Sequence, residues 1–516
     1  MEKRADLKSL LQYLPLVAQS SSLVWPPSVE QELQTMSRGP NKSMVNSGEV
    51  LALHITNMRK SLSLNASDLA PNPLKGYAIF FDKMISREES TKFFGEVVPA
   101  LSGLLLRLPS MLEMHYQKTD HVLDGVKSGL RLLGPQEAGI VFLSQELIAA
   151  LLACSFFCLF PEVDRRLKNL QRINFDDLFS FPSMSHCTKQ ENKIKCLIHY
   201  FERICRCMPT GFVSFERKVL PLEYNPHYVS YPEADHWAKS STPLCSVEIH
   251  TSGAIEDQCG EALEVDFADE YFGGLTLSYD TLQEEIRFVI NPELIAGMIF
   301  LPRMDANEAI EIVGVERFSR YTGYGPSFQY DGDYTDNKDF DTLRRRKTRV
   351  IAIDAIPNPG STQYKTDSLL REVNKAFSGY LHQCKYQSDA SFFQPNPLPS
   401  AKVSQVVESS KRWCIDHEEK IGVATGNWGC GVFGGDPELK IMLQWLAISQ
   451  SGRPFMSYYT FGLQALQNLN QVIERVALQE LTVGDLWSKI MEYSSERLSR
   501  RTRLGFFSWL IASLSA

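Results

Sequence analysis

The spacing of apolar residues divides the chain into two textures. Residues 144–160 (SQELIAALLACSFFCLF) are almost wholly apolar after Ser144, a residue type that caps helices. This run predicts a buried central helix and falls short of the ~20 residues of a membrane span. Residues 193–207 (KIKCLIHYFERICRC) place Ile194, Leu197, Ile198, Phe201 and Ile204 on one side, which predicts an amphipathic helix. Residues 96–116 also read as helix, and residues 61–76 and 181–192 as loops. Residues 1–210 are therefore predicted as a mainly helical accessory domain.

From about residue 211 short β-rich runs take over: FVSFERKVL, CSVEIHT, LEVDFA, AIEIVGVERF, RVIAIDAI and FMSYYTF. Helical stretches at 365–380 and 437–450 lie between them. Strands alternating with helices predict an α/β layered domain over residues 211–516. Residues 385–420 are polar, with Pro395, Pro397 and Pro399 close together, and predict an inserted loop.

Composition narrows the class. A chain of 516 residues is too long for one typical domain. A formal net charge of −8 excludes a basic protein that coats nucleic acid, so no direct nucleic-acid binding is expected. A polyanionic ligand must instead meet local backbone N–H groups, helix N-termini and a few basic side chains. The 11 cysteines are odd in number and irregularly spaced, which favours thiols in a reducing compartment, nuclear or cytoplasmic. Cys154 with Cys158 and Cys205 with Cys207 fit no zinc pattern, so no metal is expected there and buried thiols are the default reading. The N-terminal residues lack the pattern of a signal peptide. The C-terminal LGFFSWLIASL is too short to span a bilayer and is expected to pack on the domain. The basic run Arg344–Lys347 reads either as a nuclear signal or as the solvated start of the strand that follows.

Two segments carry chemistry. Residues 422–436 (GVATGNWGCGVFGGD) hold six glycines in fifteen residues, with Pro437 at a first helical position and Asp436 as its cap. A Gly-rich loop entering a helix presents N–H groups to an anion. It is no P-loop, because no Lys-Ser/Thr follows. Gly429, Gly431 and Gly434 fit the dinucleotide pattern GxGxxG, but late in the chain and with no βαβ unit expected after them. A tight structural turn is the plain alternative to a diphosphate cradle.

The other segment is 263–293 (LEVDFADEYFGGLTLSYDTLQEEIRFVINPE). Adjacent Glu284 and Glu285 face opposite ways on a strand and differ by about 100° on a helix, so in either case they cannot play the same part. Two close carboxylates suit a general acid, as glycosidic cleavage requires. The apolar IRFVI behind them argues against a plain surface charge run. Asp266 stands in an apolar strand, where a carboxylate needs a partner. It either anchors a loop or assists the acid.

The motifs VDFA, Gly273–Gly274, QEEIRFVINPEL, YTGY at 321–324 and ATGNWGCGVFGGD at 424–436 together resemble the poly(ADP-ribose) glycohydrolase family, in its plant form. LLACSFFCLFP and INFDDLF extend the likeness over most of the chain. The resemblance implies a helical accessory domain followed by a macrodomain-like mixed sheet flanked by helices. It implies hydrolysis of the ribose–ribose O-glycosidic bond of poly(ADP-ribose), free or on ADP-ribosylated proteins, with no cofactor. By the same resemblance Glu285 is the acid and base, Glu284 holds the ribose hydroxyls, and Asp266 belongs with them. Gln283 contacts substrate, Ile255 and Glu256 lie at the adenine, and Tyr324 covers the ligand. Asn427, Trp428, Gly429, Cys430, Gly431 and Val432 form the diphosphate loop, and Phe433 and Phe461 are aromatic walls.

Two positions depart from the family pattern. Leu275 stands where a third glycine is usual, and Asp269 where asparagine is usual. A left-handed Leu275 carries a penalty of ~1–2 kcal/mol, and Asp269 brings negative charge toward an anionic ligand. These substitutions carry a second expectation: an ADP-ribose-binding macrodomain protein with weak or no hydrolase activity.

Overall fold

The computed structural model describes residues 4–19, 22–119, 126–162, 165–184, 188–223, 229–258, 260–381 and 421–515. Among them eight strands form one mixed sheet: β1 (Gly139–Ser144), β2 (Phe212–Val219), β3 (Ser246–His250), β4 (Ala262–Ala268), β5 (Glu308–Gly314), β6 (Arg346–Asp354), β7 (Gly422–Gly426) and β8 (Phe455–Tyr459). Their order is β1-β2-β5-β6-β4-β7-β8-β3. The chain forms two compact units. One holds Met1–Arg217, Ala268–Arg303 and Ile312–Lys347; the other holds Lys218–Phe267, Met304–Glu311 and Thr348–Ala516. The loop expected at 385–420 lies outside the described residues.

In the first unit, helix α1 (Gln145–Phe156) starts where Ser144 accepts the Leu147 N–H at 3.2 Å. It is buried along its length and stops at Phe156, shorter than its apolar run, where Cys158 adopts a left-handed φ of 53°. Residues 139–144 form a strand, β1, antiparallel to β2, inside the half expected to be mainly helical. Only Ser144, Gln145 and Glu146 separate the apolar run of the strand from that of the helix (GIVFLSQELIAALLA). Helix α2 (Thr188–Arg206) buries Ile194, Leu197, Phe201 and Ile204 as expected, with Ile198 half-buried and Lys193 fully buried. The expected loops are partly helical: Pro73–Ile79 and Asp176–Met184 form helices, and α2 begins at Thr188. Pro73 opens the first of these helices, a position that needs no N–H. The Arg344–Lys347 run proves a strand start, with Arg345 paired to Asp341 at 2.8 Å and Arg346 to Glu316 at 3.1 Å. Helix α3 (Gln283–Ile290) belongs to this unit and buries Ile286, Phe288, Val289 and Ile290.

In the second unit, β4, β7, β8 and β3 are neighbours, all parallel, with Leu263 opposite Val423, Ala424 opposite Ser457 and Ser457 opposite Glu248. Helices α4 (Thr366–Tyr380), α5 (Pro437–Gln450) and α6 (Phe506–Ser515) share one core with Trp237, Trp428, Trp445 and Trp487. The C-terminal apolar segment thus packs on the domain, burying Phe506, Phe507, Trp509 and Leu510. Strand β7, the loop, α5 and β8 make a βαβ unit, contrary to expectation. Of the two strands only β8 was legible, as FMSYYTF; β7 is hidden in the Gly-rich segment, and so is the parallel pairing. Among the described residues no single helix is long and apolar enough to cross a membrane.

Candidate functional site

In the first unit, Gln283, Glu284 and Glu285 occupy the first turn of α3. The helix places the two carboxylates on different backbone donors. Glu284 accepts the Gly273 N–H at 2.7 Å and the Asp269 N–H at 2.9 Å. Glu285 accepts the Leu275 N–H at 3.0 Å on Oε1 and the Leu282 N–H at 2.9 Å on Oε2. Both residues are buried, and Gln283 is half-buried. Each Glu285 oxygen thus receives one main-chain donor, and an oxygen acceptor has room for two. This fixes the carboxyl in place and leaves a second acceptor position on each oxygen.

The glycines explain how the loop reaches the carboxylates. Gly273 and Gly274 have φ of 92° and 47°. A Cβ on Gly274 would stand 2.5 Å from Glu284 Oε2 and 2.9 Å from Glu285 Oε1. Only a glycine lets the backbone pass this close. Leu275 has no left-handed φ, so the strain expected there does not arise. It sits one residue past the two positions that need glycine, and its side chain is exposed. Asp269 accepts the Tyr271 N–H at 2.8 Å through Oδ1, a bond that an asparagine oxygen would make equally. Both departures therefore fit the loop. Accordingly, the double substitution Asp269→Asn, Leu275→Gly is expected to change kcat by no more than about threefold, as for a change of ~0.5 kcal/mol, in a steady-state assay.

Tyr324 is exposed on its ring, but its hydroxyl lies against the start of α3. Burial first, and then the charge of Glu285, push that hydroxyl above its ordinary pKa. A backbone bond from Gly325 N–H to the Thr281 carbonyl at 3.0 Å holds this turn to the segment before Glu284.

In the second unit, the loop after β7 is anchored from below. Asn427 donates to the Thr460 carbonyl at 3.0 Å and accepts the Tyr458 hydroxyl at 3.0 Å. Trp428 is fully buried and donates its indole N–H to Ile353 O at 2.9 Å. Lys440, on the first turn of α5, lies 4.1 Å from the Trp428 ring and pairs with Glu372. Burial pushes its pKa well down. Asp436 caps α5 by accepting the Glu438 N–H at 3.0 Å, as expected. The N–H groups of Trp428, Cys430, Gly434 and Gly435 bond within the loop. Those of Gly429, Gly431, Val432 and Phe433 donate to no acceptor among the described residues. Four N–H donors within five residues, at the mouth of a helix, form a nest for an anion.

Around this loop, Ile255 packs with Ala262, Ala424, Tyr459 and Phe267, and His250 stacks on Tyr459 at 4.6 Å. Glu256 is buried in the same short turn as Ile255. Phe461 is half exposed, with a φ of 51°, unusual for an aromatic residue. A Cβ on Gly426 would lie 3.0 Å from the Phe461 ring and 3.4 Å from that of Phe267. Phe433 is half-buried and its carbonyl accepts the Asn358 N–H at 2.9 Å. Asp266 is fully buried on β4, too deep to face solvent.

Residues 234–468 match the poly(ADP-ribose) glycohydrolase family in its macro domain fold, and residues 85–217 match its helical domain. The chain is 84% identical over 522 positions to the probable poly(ADP-ribose) glycohydrolase 2 of Arabidopsis thaliana, covering 100% of both chains. The chain belongs to the poly(ADP-ribose) glycohydrolase family. It is also 51% identical to poly(ADP-ribose) glycohydrolase 1 of the same plant, over 100% of this chain and 98% of that one. Poly(ADP-ribose) glycohydrolase 1 of Caenorhabditis elegans is 31% identical over 70% of this chain and 41% of its own length. In this member of the family, sequence reading missed Lys193, Gln171, Tyr458 and Lys440. The one available signal was Lys193, a lysine in step with Leu197, Tyr200 and Ile204 on the apolar side of α2.

Proposed function

We propose that this chain hydrolyses the ribose–ribose O-glycosidic bonds of poly(ADP-ribose) and releases ADP-ribose. The observation that carries the reading is the Glu285 carboxyl fixed by two main-chain N–H groups, one on each oxygen. Neutral Glu285 protonates the departing ribose oxygen as positive charge develops on the ring. Ionised Glu285 then takes a proton from the water that attacks the anomeric carbon. Glu284 shapes the loop through Gly273 and Asp269 and is assigned the ribose hydroxyls. Buried Asp266 is assigned a supporting part, and Gln283 a contact with substrate. Tyr324 is assigned to cover the ligand.

The four N–H groups of residues 429–433 without an acceptor among the described residues are assigned the diphosphate, with Ile255 and Glu256 at the adenine and Phe433 and Phe461 as walls. Gly429 tests this assignment. Its φ is 71°, and a Cβ there would stand 2.6 Å from the Ala355 Cβ and 3.0 Å from Lys440 Nζ. Gly429→Ala is expected to weaken ADP-ribose binding by at least about tenfold in titration calorimetry, since ~1–2 kcal/mol of strain falls on the cradle itself.

The activity is tested by incubating the purified chain with poly(ADP-ribose) and resolving the products by mass. ADP-ribose as the main product supports the reading. A protein that binds ADP-ribose but leaves the polymer intact would show a reader instead of a hydrolase.

A further inference from the structure

We propose that Gln171 and Lys193, outside the loop itself, are positioning residues for Glu285. The inference rests on Glu285 being the acid. Its structural basis is the path of hydrogen bonds behind the carboxyl. The peptide group joining Gly274 and Leu275 donates its N–H to Glu285 Oε1 at 3.0 Å. The carbonyl of that same peptide group accepts from Gln171 Nε2 at 3.0 Å. Gln171 also reaches the Tyr271 carbonyl at 3.3 Å. One amide side chain thus sets the tilt of the peptide plane that holds the acid, and bonds in series polarise one another.

Lys193 fixes the next stretch. Its ammonium donates to the carbonyls of Leu275 at 3.1 Å, Ser278 at 2.9 Å and Asp280 at 2.6 Å. All three donors are used, and the residue is 0% exposed. Gln190, three residues earlier on α2, donates to the Tyr279 carbonyl at 2.5 Å. Six carbonyls of residues 271–280 are therefore held by three side chains from 171–193. The N–H groups of Gly273 and Leu275 point to the two glutamates instead. The loop is stretched between two sets of partners, one of which is the candidate acid pair. A wholly buried ammonium has lost its hydration, so its use here as a clamp needs all three carbonyls in place. Burial lowers its pKa to about 7, and the negative charge of Glu285 partly opposes that shift.

The test uses the full chain with Gln171→Leu and Lys193→Met. Five quantities are read: kcat and KM on poly(ADP-ribose), ADP-ribose affinity by calorimetry, melting temperature, and amide exchange of Leu275. Gln171→Leu is expected to lower kcat by about tenfold with ADP-ribose affinity unchanged, because a displacement well under 1 Å at the acid has effects of that order. Leu275 exchange is expected to quicken by about tenfold. Lys193→Met is expected to act in the same direction and more strongly. If it does not fold, Gln171→Leu, which leaves the lysine clamp intact, decides alone. Leu275 exchange and kcat both within twofold of wild type would overturn the proposal. So would a parallel loss of kcat, affinity and melting temperature. Because Leu275 exchange is read without turnover, a wild-type chain that proves inactive would remove the assigned activity and still leave the clamp tested.

Discussion

Glu285→Gln is expected to lower kcat for ADP-ribose release by about 10³-fold and leave ADP-ribose affinity within about threefold. Glutamine keeps the shape of the side chain but has no proton of suitable acidity to give. General acid–base groups contribute about 10²–10⁴-fold, and here one residue is asked to serve in both halves of the reaction. The substitution has a local structural effect that must be separated from the chemical one. The carboxylate accepts one N–H on each oxygen, from Leu275 and from Leu282. An amide has a single oxygen, so its NH2 group must face one of these donors. The lost bond corresponds to ~1–3 kcal/mol and lowers the melting temperature. A fall in kcat with retained affinity and a modest melting shift identifies the chemistry. Loss of affinity together with kcat would place Glu285 in binding instead.

The second large effect is expected at Gly274. Gly274→Ala must place a methyl group 2.5 Å from Glu284 Oε2 and 2.9 Å from Glu285 Oε1, at a φ of 47°. Neither carboxylate can turn aside freely, since each already holds two N–H groups. The loop or the glutamates must shift, and a shift of about 1 Å at the reacting centre reduces the rate about 100-fold. The left-handed backbone adds ~1–2 kcal/mol of instability. Gly431→Ala is the control. Nothing lies within 4 Å of its Cβ direction and its φ is not left-handed, so it is expected to fold with an unchanged melting temperature. A Gly274→Ala protein with kcat within threefold of wild type would show that the glutamates can move without penalty, contrary to the fixed geometry described above.

The sequence revealed residues whose chemistry is local. Asp436 before Pro437 announced a helix N-terminus, and the α5 cap is as read. The strands FVSFERKVL, CSVEIHT and LEVDFA fall where their β-rich composition put them. Whether Glu284 and Glu285 stand on a strand or a helix stayed open in the sequence, and the structure places them in the first turn of α3. What stayed hidden depended on pairing and on backbone angle. Strand β1 was hidden because only three polar residues, Ser144 to Glu146, stand between its apolar run and that of α1. The βαβ unit around the Gly-rich loop depended on β7 and β8 lying parallel, which no residue type encodes. Leu275 looked like a strained replacement because a run of glycines does not say which members need a left-handed φ. The structure assigns that need to Gly273 and Gly274. Gln171 and Lys193 were hidden for a third reason: their partners are backbone carbonyls, which leave no trace in side-chain patterns.

The most direct test follows the oxygen of the attacking water. Poly(ADP-ribose) is hydrolysed in 18O-labelled water, the reaction is stopped before sugar ring-opening can exchange the label, and the released product is fragmented in a mass spectrometer. Attack at the anomeric carbon predicts ADP-ribose with one heavy oxygen on the terminal ribose and none on either phosphate. Label on phosphorus would show cleavage of the diphosphate and contradict a glycosidic reaction at Glu285.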